Sequence, residues 1–578
     1  MSNYGLNDEQ WAAVICPSPV YLNASAGAGK TRTLIEKIHY LLDHGVPVEA
    51  IVAITFTNKA AKEMRERLGK HCDVTRMQVS TIHSMCVRII RKFIGYTYLK
   101  TPFSIYDGSD QLSVVKTIVK ALELPGDPYD YLSYISRVKS GNTMPEGVQE
   151  DYKKVYEEYQ DILKQNNACD FDDLLILAYG CLQREDCRKF YSNLWRHILV
   201  DEFQDTSVIQ YKLILSMYDI STTKSLFCVG DANQSIYAFR NARPENIDDF
   251  IRDYKANARF LIYNYRSCSE VIAHANGFQQ FGQPMVPKTH LAGKVSVTEF
   301  PTQEEEAEQV AAAILRMGNY NNTAIIYRVN TRSLLFEQTF ARYRIPYKVV
   351  NDLAFFQRKV SKDLLAALSA ANNPDDRTSL ARVINNPKRG FGDAKKSRLL
   401  KEGRAYLDSA VEDLPMVKEF MNVLGEIKGK SPSEALALYL HRSGYRKNLE
   451  KDSDRYMVDA LQNMVVNFDT VEELILASSF LEKDSGDGVN LITAHGSKGL
   501  EYDRVFVVGV EEGLWPHKNA EDFDEESRLY YVACTRAKNW CNISFSRSKN
   551  FKGSSINISP SPLFRNSYKH IMGTEYPQ

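Results

Sequence analysis

The 578-residue sequence predicts an α/β protein made of two parallel-sheet domains in tandem, each interrupted by a mainly helical insertion. Three observations predict this fold class. A chain of this length needs more than one hydrophobic core. Strand-like apolar runs alternate with amphipathic helical patterns near both ends of the chain and in its middle. Two long segments, residues 91–196 (the first insertion) and 361–487 (the second insertion), are helical in pattern.

The first strand–helix passage, residues 20–45, predicts a phosphate-binding site. Its apolar run VYL is followed by a loop of small residues, by Lys30 and Thr31, and by a helical pattern that Gly45 caps. Small residues let backbone N–H groups approach phosphates, and the helix N-terminus adds partial positive charge. Lys30 would then reach the β- and γ-phosphates, and Thr31 would hold Mg²⁺. The loop consists of Ala24, Ser25, Ala26, Gly27, Ala28 and Gly29.

A pair of carboxylates follows a later strand of the same domain. The run DEFQDTS begins directly after the apolar run at residues 197–200, at the strand end where parallel sheets place their ligands. Asp201 would complete the Mg²⁺ shell through water, and Glu202 would orient and deprotonate the attacking water. This spacing predicts nucleotide hydrolysis.

The run VGDANQSIYAFRNA also starts at a strand end and combines an amide with aromatic residues. Gln234 is a neutral donor suited to sensing a γ-phosphate. Tyr237 and Phe239 alternate beside Arg240, a pattern that suits base stacking.

Each of these motifs also has a plainer interpretation that the residues alone leave open. The phosphate loop has Ala24 where the general pattern has glycine, so a strand, turn and helix with a chance Gly-Lys-Thr is the alternative. The acidic run is alternatively a solvated turn. Tyr237 and Phe239 are alternatively residues of the core.

Composition limits the class of protein without choosing the partner. Lys plus Arg and Asp plus Glu both number 72, so the formal net charge is zero and nucleic-acid binding would need local basic grooves. The ten cysteines form no C-x-x-C pair, which argues against a structural zinc site. The N-terminus lacks a signal-peptide core, and no apolar run has transmembrane length. We therefore expect a cytoplasmic protein with no membrane partner.

Taken together, the motifs resemble those of superfamily 1 helicases of the UvrD/Rep/PcrA kind. Nine stretches match in the family's order, and they cover the chain from Leu6 to Ala537. The resemblance implies two RecA-like domains, each carrying an insertion, with ATP bound between them. The matching stretches are LNDEQ, ASAGAGKTR, ITFTNKAAKEM, STIHSMC, DEFQDTS, VGDANQSIYAFRNA, NYRS, TAHGSKGLEY and YVACTRA.

The resemblance implies roles for residues of both domains around one ATP. Gln10 would read the adenine edge, Arg32 and Tyr265 would pack against the base, and Glu501 would accept a hydrogen bond from the ribose. The residues implied to be catalytic are Lys30, Glu202, Gln234 and two arginine fingers, Arg266 and Arg536. Arginine suits this role because it is a planar, permanently charged donor for the negative charge of the transition state.

The resemblance also implies single-stranded DNA and single-strand/duplex junctions as partners. The segment PKRGFG (387–392) resembles a loop that contacts duplex DNA, although a plain helix–helix turn is the alternative. The residues implied to contact DNA are Phe56, Thr57, Asn58, His83, Tyr237, Phe239, Arg240, Thr493 and His495.

The implied function is an ATP-dependent DNA helicase that moves 3′→5′ on a single strand and needs ATP and Mg²⁺. Two alternatives stay open: a translocase that strips proteins from DNA with little unwinding, and an ATP-gated DNA-binding module. A loading partner is not evident in the sequence. The expected domains are residues 1–90 with 197–280 (first α/β domain), 91–196 (first insertion), 281–360 with 488–565 (second α/β domain), 361–487 (second insertion) and a tail at 566–578.

Overall fold

A computed structural model of the chain describes most of residues 4–564. The gaps within that range are residues 71, 142–149, 219–224, 330–331, 344, 351–358, 412–413, 450–453, 456–457, 459–460, 463–464, 467, 479–487, 521 and 552–553. The expected tail at 566–578 lies outside the described residues, as do the segments next to the two expected junctions of the second insertion.

Strands and helices alternate in the order that the sequence predicts. The strands are β1 (Val20–Ala24), β2 (Ile51–Thr55), β3 (Gln78–Thr81), β4 (Ser104–Tyr106), β5 (Ala168–Asp170), β6 (His197–Val200), β7 (Ser225–Gly230), β8 (Asn257–Leu261), β9 (Tyr263–Asn264), β10 (Val286–Pro287), β11 (Lys294–Thr302), β12 (Thr323–Tyr327), β13 (Tyr347–Val349), β14 (Val489–Thr493), β15 (Tyr502–Val507), β16 (Ala537–Phe551) and β17 (Ser554–Asn557). The helices of the first α/β domain and first insertion are α1 (Asp8–Ile15), α2 (Lys30–Asp43), α3 (Asn58–Leu68), α4 (Ile82–Lys92), α5 (Gly108–Ala121), α6 (Pro128–Lys139), α7 (Glu150–Gln165), α8 (Phe171–Leu182), α9 (Glu185–Leu194), α10 (Val208–Met217), α11 (Asn246–Tyr254) and α12 (Ser269–Asn276). The later helices are α13 (Gln303–Met317), α14 (Ser333–Tyr343), α15 (Lys359–Asn372), α16 (Arg377–Val383), α17 (Asp393–Glu402), α18 (Arg404–Val411), α19 (Pro415–Ile427), α20 (Pro432–Arg442), α21 (Val471–Ser478) and α22 (Phe523–Cys534).

The first sheet is parallel, with strand order β3-β2-β6-β7-β1-β8. Every residue of β2, β6 and β7 is buried, as expected for central strands covered by helices on both faces. The register pairs Leu22 with Val229 and Ile54 with Val200, so the loops after these strands meet at one edge of the sheet. That edge carries the predicted phosphate loop and the predicted carboxylates.

The second sheet is also parallel along β11-β16-β15-β12-β14-β13, and β17 adds an antiparallel strand to β16. Its strands come from both sides of the second insertion, since β11 to β13 precede it and β14 to β17 follow it. Its buried cluster also includes Ala26 and Ile236 of the first domain beside Tyr530 and Tyr531 of α22. The two α/β domains therefore share an apolar contact beside the predicted nucleotide site. The predicted fold class, two parallel-sheet α/β domains with helical insertions, is confirmed.

The first insertion is mainly helical, as predicted, but it also contains two strands that the sequence pattern did not indicate. β4 and β5 pair in parallel over three residues each. A strand of three residues is too short for a two-residue period to stand out from its helical surroundings.

The second insertion packs against the first insertion through one continuous buried cluster. This cluster joins Ile54 of the first sheet, Leu174 of the first insertion and Leu364 of the second. The Asn373 side-chain amide reinforces the contact by donating to the Ser104 hydroxyl at 2.7 Å. No helix in the described part of the chain is long and apolar enough to cross a bilayer.

Glu306 provides a test of what holds the second sheet together. Its buried carboxylate pairs with Arg332 and accepts hydrogen bonds from the Gly509 N–H at 3.0 Å and the Ser544 hydroxyl at 2.6 Å. Glu306→Gln removes the carboxylate that pairs with the buried Arg332 guanidinium, so we expect the free energy of unfolding to fall by about 3 kcal/mol. Urea unfolding followed by tryptophan fluorescence measures it. The exposed neighbour on the same helix supplies the control: Glu305→Gln should change stability by less than about 0.5 kcal/mol, and an equal loss in both variants would contradict this assignment.

Candidate functional site

The loop between β1 and α2 has the shape that a phosphate cradle requires. Gly27 and Gly29 have φ angles of +68° and +85°, in the left-handed region that glycine adopts without strain. A Cβ atom at Gly27 would lie 2.7 Å from the Asn264 amide, and one at Gly29 would lie 2.8 Å from the Gln10 amide. The backbone therefore curves as tightly as it does only because these positions lack side chains.

The Lys30 ammonium lies at the N-terminal end of α2 and lacks a full set of partners. It is buried and has no hydrogen-bond partner among the described residues, and the nearest carboxylate oxygen, of Asp231, is 3.9 Å away. A buried cation without hydrogen bonds is costly. Negatively charged phosphate oxygens between the loop and this ammonium would satisfy it, so the geometry fits a nucleotide's phosphates.

The two predicted carboxylates differ in charge state because they lie side by side in a buried place. Burial and the neighbouring Glu202 raise the pKa of Asp201 to about 7. Burial opposes ionisation of Glu202 as well, but Lys30 and Lys498 outweigh it and lower the pKa of Glu202 to about 2. The Gln204 amide donates to Glu202 Oε2 at 2.6 Å and orients it. Glu202 is therefore a fixed, ionised base, and Asp201 is a carboxyl group that a cation would ionise.

Lys498 brings the second domain into the site, and the sequence analysis missed it. Its ammonium donates to Asp205 and, at 2.6 Å, to the Gln234 carbonyl. It also lies 4.0 Å from Glu202 Oε2 and 4.9 Å from the centre of the Tyr237 ring. The signal was present, since Lys498 is the cation in the quoted stretch TAHGSKGLEY.

The two predicted arginine fingers lie at the same junction. Arg266 Nε donates to Glu501 at 2.7 Å, and its Nη1 donates to the Thr535 carbonyl at 3.4 Å. Arg536 is 1% exposed, and its Nη2 lies 3.5 Å from the Gln234 side-chain oxygen. Burial and the nearby Arg266 lower the pKa of Arg536 to about 9. A buried guanidinium beside a second cation is an environment that an added anion would stabilise.

The predicted nucleoside contacts form a second group around the start of the chain. Tyr265 is 46% exposed and accepts a hydrogen bond from Asn7 at 2.6 Å, while Arg32 donates to the Gly5 carbonyl at 2.7 Å. Gln10 is buried, and its amide nitrogen donates to the Ala28 carbonyl at 3.1 Å. Gln10 thus supports the phosphate loop in this structure, and its predicted contact with adenine stays a prediction.

The predicted DNA-binding aromatics also meet, and they do so next to the phosphate site. We call Phe56, Tyr237, Phe239 and His495 the aromatic cluster. Phe56 and Tyr237 are stacked with ring centres 5.2 Å apart, and Phe239 meets His495 edge-on at 5.4 Å. Arg240 lies 5.3 Å from the Tyr237 ring. Phe239 is 65% exposed, which argues against the core interpretation for that ring.

The two histidines predicted to touch DNA are neutral. Burial and Arg240 lower the pKa of His83 to about 4. Burial, Arg328 and other nearby cations lower the pKa of His495 to about 3. At neutral pH each would offer a hydrogen bond rather than a charge to a DNA strand. Phe171, which the sequence analysis did not single out, meets His83 edge-on at 5.8 Å.

The remaining predicted DNA contacts serve local structure. The Thr57 hydroxyl caps α3 by accepting from the Ala60 N–H at 3.1 Å, and Asn58 is the first residue of that helix. The Thr493 hydroxyl accepts from the Gly496 N–H at 3.1 Å. Their positions border the aromatic cluster, and their contact with DNA stays a prediction.

Comparison with known proteins identifies the family. Residues 6–255 match the family model of the UvrD/REP helicase N-terminal domain, and residues 260–430 and 408–548 match that of the UvrD-like helicase C-terminal domain. The chain belongs to the UvrD-like helicase family. Among its relatives, the ATP-dependent DNA helicase PcrA of Staphylococcus epidermidis is 34% identical over 97% of this chain and 86% of its own length. The same helicase of Staphylococcus aureus is 35% identical over the same shares.

As a UvrD-like helicase, the chain carries all nine quoted motifs inside the matched ranges. The residues that sequence reasoning missed are those that act through their neighbours. They are Gln204, Asp205, Asp231, Asn264 and Lys498, together with Phe171 in the first insertion. Most of them lie inside or next to the quoted motifs, so their positions in the sequence were a signal. Their roles were not evident, because their partners come from distant parts of the chain.

Lys498→Met tests whether the contact between the domains matters for catalysis. The variant removes the cation that faces Glu202, Asp205 and the Tyr237 ring while keeping a similar side-chain length. We expect DNA-stimulated ATP turnover to fall by about 100-fold, in the range typical of losing one preorganised charge contact. A steady-state ATPase assay measures this, and Lys294→Met at an exposed position of β11 is the matched control. Full activity in Lys498→Met would exclude a role for this contact.

Proposed function

We propose that this protein is an ATP-dependent DNA helicase that moves along a single strand with 3′→5′ polarity and works in association with DNA. The observation that carries the proposal is the meeting of residues from both α/β domains at one phosphate cradle. Arg536, far along the chain, lies 3.5 Å from the same Gln234 side chain that donates to Asp231 near Lys30. Such an arrangement lets a nucleotide pull the two domains together.

The residues present fit ATP with Mg²⁺. The unsatisfied Lys30 ammonium supports binding of the β- and γ-phosphates. Thr31 and Asp201 would hold the metal ion, since hard divalent cations take oxygen ligands and Asp201 is a buried carboxyl group whose pKa is raised by burial and by Glu202. Mg²⁺, when bound, supplies neutralising charge on the phosphate oxygens. Glu202 would take the proton of the attacking water, because it is ionised and held in orientation by Gln204.

Closure of the cleft would transmit this chemistry to DNA. Lys498 contacts Asp205 in residues 201–207 (the carboxylate segment) on one side and the Tyr237 ring on the other. A change in charge at the phosphates would therefore alter the contacts of the aromatic cluster, on which bases would stack. Unwinding must break duplex stacking of about 1.4 kcal/mol per base-pair step, so hydrolysis has to be coupled to this movement.

The second insertion supports contact with the duplex ahead of the single strand. A cavity of about 1120 Å³ there is lined by six basic and three acidic side chains. Residues 387–389, the first half of the segment 387–392, form part of its wall, and Arg389 donates to the Val383, Ile384 and Ser443 carbonyls to hold this turn. We propose that the duplex arm of a single-strand/duplex junction lies along this wall. The domain boundaries given by the sequence are part of the same proposal.

A translocase that removes proteins from DNA is the second candidate function. The same motor residues serve both activities, because stepping along one strand does not require the strands ahead to separate.

Unwinding of partial duplexes with either a 3′ or a 5′ single-stranded tail tests activity and polarity together. We expect ATP-dependent strand separation of the 3′-tailed substrate only. Lys30→Ala removes the phosphate contact and should reduce ATP turnover at least about 100-fold while single-strand binding persists. The exposed Lys62→Ala is the control. Unwinding from the 5′ tail would overturn the proposed polarity. Release of DNA-bound streptavidin without strand separation would favour the second candidate function. ATPase activity that DNA does not stimulate would favour an ATP-gated binding module.

Phe239→Ala tests the stacking role separately from nucleotide binding. Truncation removes an exposed ring that packs on Tyr237 and His495 of the aromatic cluster, so unwinding per ATP hydrolysed should fall about tenfold, in line with base–aromatic stacking worth about 1–3 kcal/mol. The Michaelis constant for ATP should change less than twofold. Phe523→Ala, another exposed phenylalanine, is the matched control. Equal losses in ATP affinity and in unwinding would contradict the stacking role.

A further inference from the structure

The aromatic loop, residues 237–240, ends in a strained position that the stacking role does not explain. Asn241 has a φ angle of +60°, in the left-handed region that non-glycine residues avoid. Its N–H donates to the Ala238 carbonyl at 2.8 Å and closes the turn. The backbone thus needs a residue that tolerates this conformation, and glycine would be the least strained choice.

That side chain reaches out of the loop to the first insertion. Asn241 Nδ2 donates to the Ser140 hydroxyl at 2.9 Å, and it lies 3.4 Å from the Ser136 hydroxyl. Ser136 in turn donates to Asp172 at 2.9 Å. Both serines belong to the last turn of α6 and its end, so one amide connects the aromatic loop to that helix.

The end of α6 is itself held firmly. The buried Lys139 ammonium lies 2.6 Å from Asp170 and 2.8 Å from Asp173 at the start of α8. The Ser140 carbonyl accepts from the Ile209 N–H at 3.2 Å, at the start of α10. Breaking a buried ion pair of this kind is strongly destabilising. The serine that receives the Asn241 amide is therefore a fixed point.

The ion pairs of Lys139 also hold the start of α8, where Phe171 lies. Phe171 is the first residue of α8, one position after Asp170, and it meets His83 edge-on at 5.8 Å. On its far side the loop is tied to the carboxylate segment, because the Arg243 N–H donates to the Thr206 carbonyl at 3.0 Å. Asn241 thus completes a connection between the insertion, the aromatic loop and the nucleotide site.

We propose that Asn241 is a positioning residue that fixes the aromatic loop against the first insertion, so that the loop and Phe171 face one DNA strand in a constant geometry. The inference rests on the proposed function, since it assigns a role in DNA binding. It concerns how readily DNA is bound rather than the rate of hydrolysis once DNA is bound.

Asn241→Gly separates the side chain from the backbone. Glycine adopts the same φ angle without strain, so the variant removes the hydrogen bonds and keeps the turn. We expect the concentration of single-stranded DNA that gives half-maximal ATPase stimulation to rise about fivefold, the equivalent of one net hydrogen bond, with the maximal rate changed less than twofold. Asn319→Gly is the matched control, because Asn319 is also left-handed at φ +54° and lies before β12, at the N-terminal end of that strand of the second sheet.

Ser140→Ala removes the other end of the same hydrogen bond. It should raise the half-maximal DNA concentration as Asn241→Gly does, and the double variant should be no worse than either single variant. Amide hydrogen exchange of residues 237–242 gives a readout that needs no DNA: it should quicken in Ser140→Ala, whose loop sequence is unchanged. Unchanged exchange and an unchanged DNA concentration would overturn the inference, as would effects that multiply in the double variant. If the wild-type ATPase is not stimulated by DNA, the proposed function fails, and exchange alone decides whether Asn241 anchors the loop.

Discussion

The ammonium group of Lys498, in the second α/β domain, lies among the groups of the first domain that would contact the nucleotide and the DNA. It pairs with Asp205, donates to the Gln234 carbonyl and faces the Tyr237 ring. Burial disfavours its charge, but Asp205 and Glu202 outweigh that effect and raise the pKa of Lys498. A charge held this way is expensive to remove from its partners, so the two domains cannot separate without disturbing the carboxylates and the aromatic cluster together. The remaining site residues are arranged around this contact.

Positive charge is concentrated near the proposed ligand sites. A chain with zero net charge can therefore bind a polyanion such as DNA. The histidines near the aromatic cluster are held neutral by burial and by neighbouring cations. Positive charge is concentrated instead in a few side chains: the buried or half-buried Lys30, Arg266 and Arg536 at the nucleotide site, and the exposed Arg240 beside the rings. Each of these cations lies within reach of an acidic or aromatic group of the chain. The zero net charge therefore says little about the surface that a strand of DNA would meet.

The sequence predicted the parts of this structure that depend on short-range sequence patterns. Strands such as β2 and β7 follow from continuous apolar runs, and the phosphate loop follows from small residues before Lys30-Thr31. The contacts of Lys498 and of Asn241 did not follow, because each partner lies about 100 to 290 residues away and no local pattern encodes the pairing. Gln10 shows a third case: its position was predicted, but its amide supports the Ala28 carbonyl in this structure. The roles of individual residues depend on such long-range neighbours.

The buried contact between the two insertions has a consequence for how the protein is made. Ile54, Leu174 and Leu364 belong to one apolar cluster, although the later part of the first α/β domain and the earlier part of the second lie between Leu174 and Leu364 in the chain. While the ribosome is still synthesising the second α/β domain, the nascent first half carries an apolar face whose cover has not yet been translated. Chaperones that shield such faces act at this stage of synthesis. The order in which this chain leaves the ribosome thus differs from the order in which its core can close.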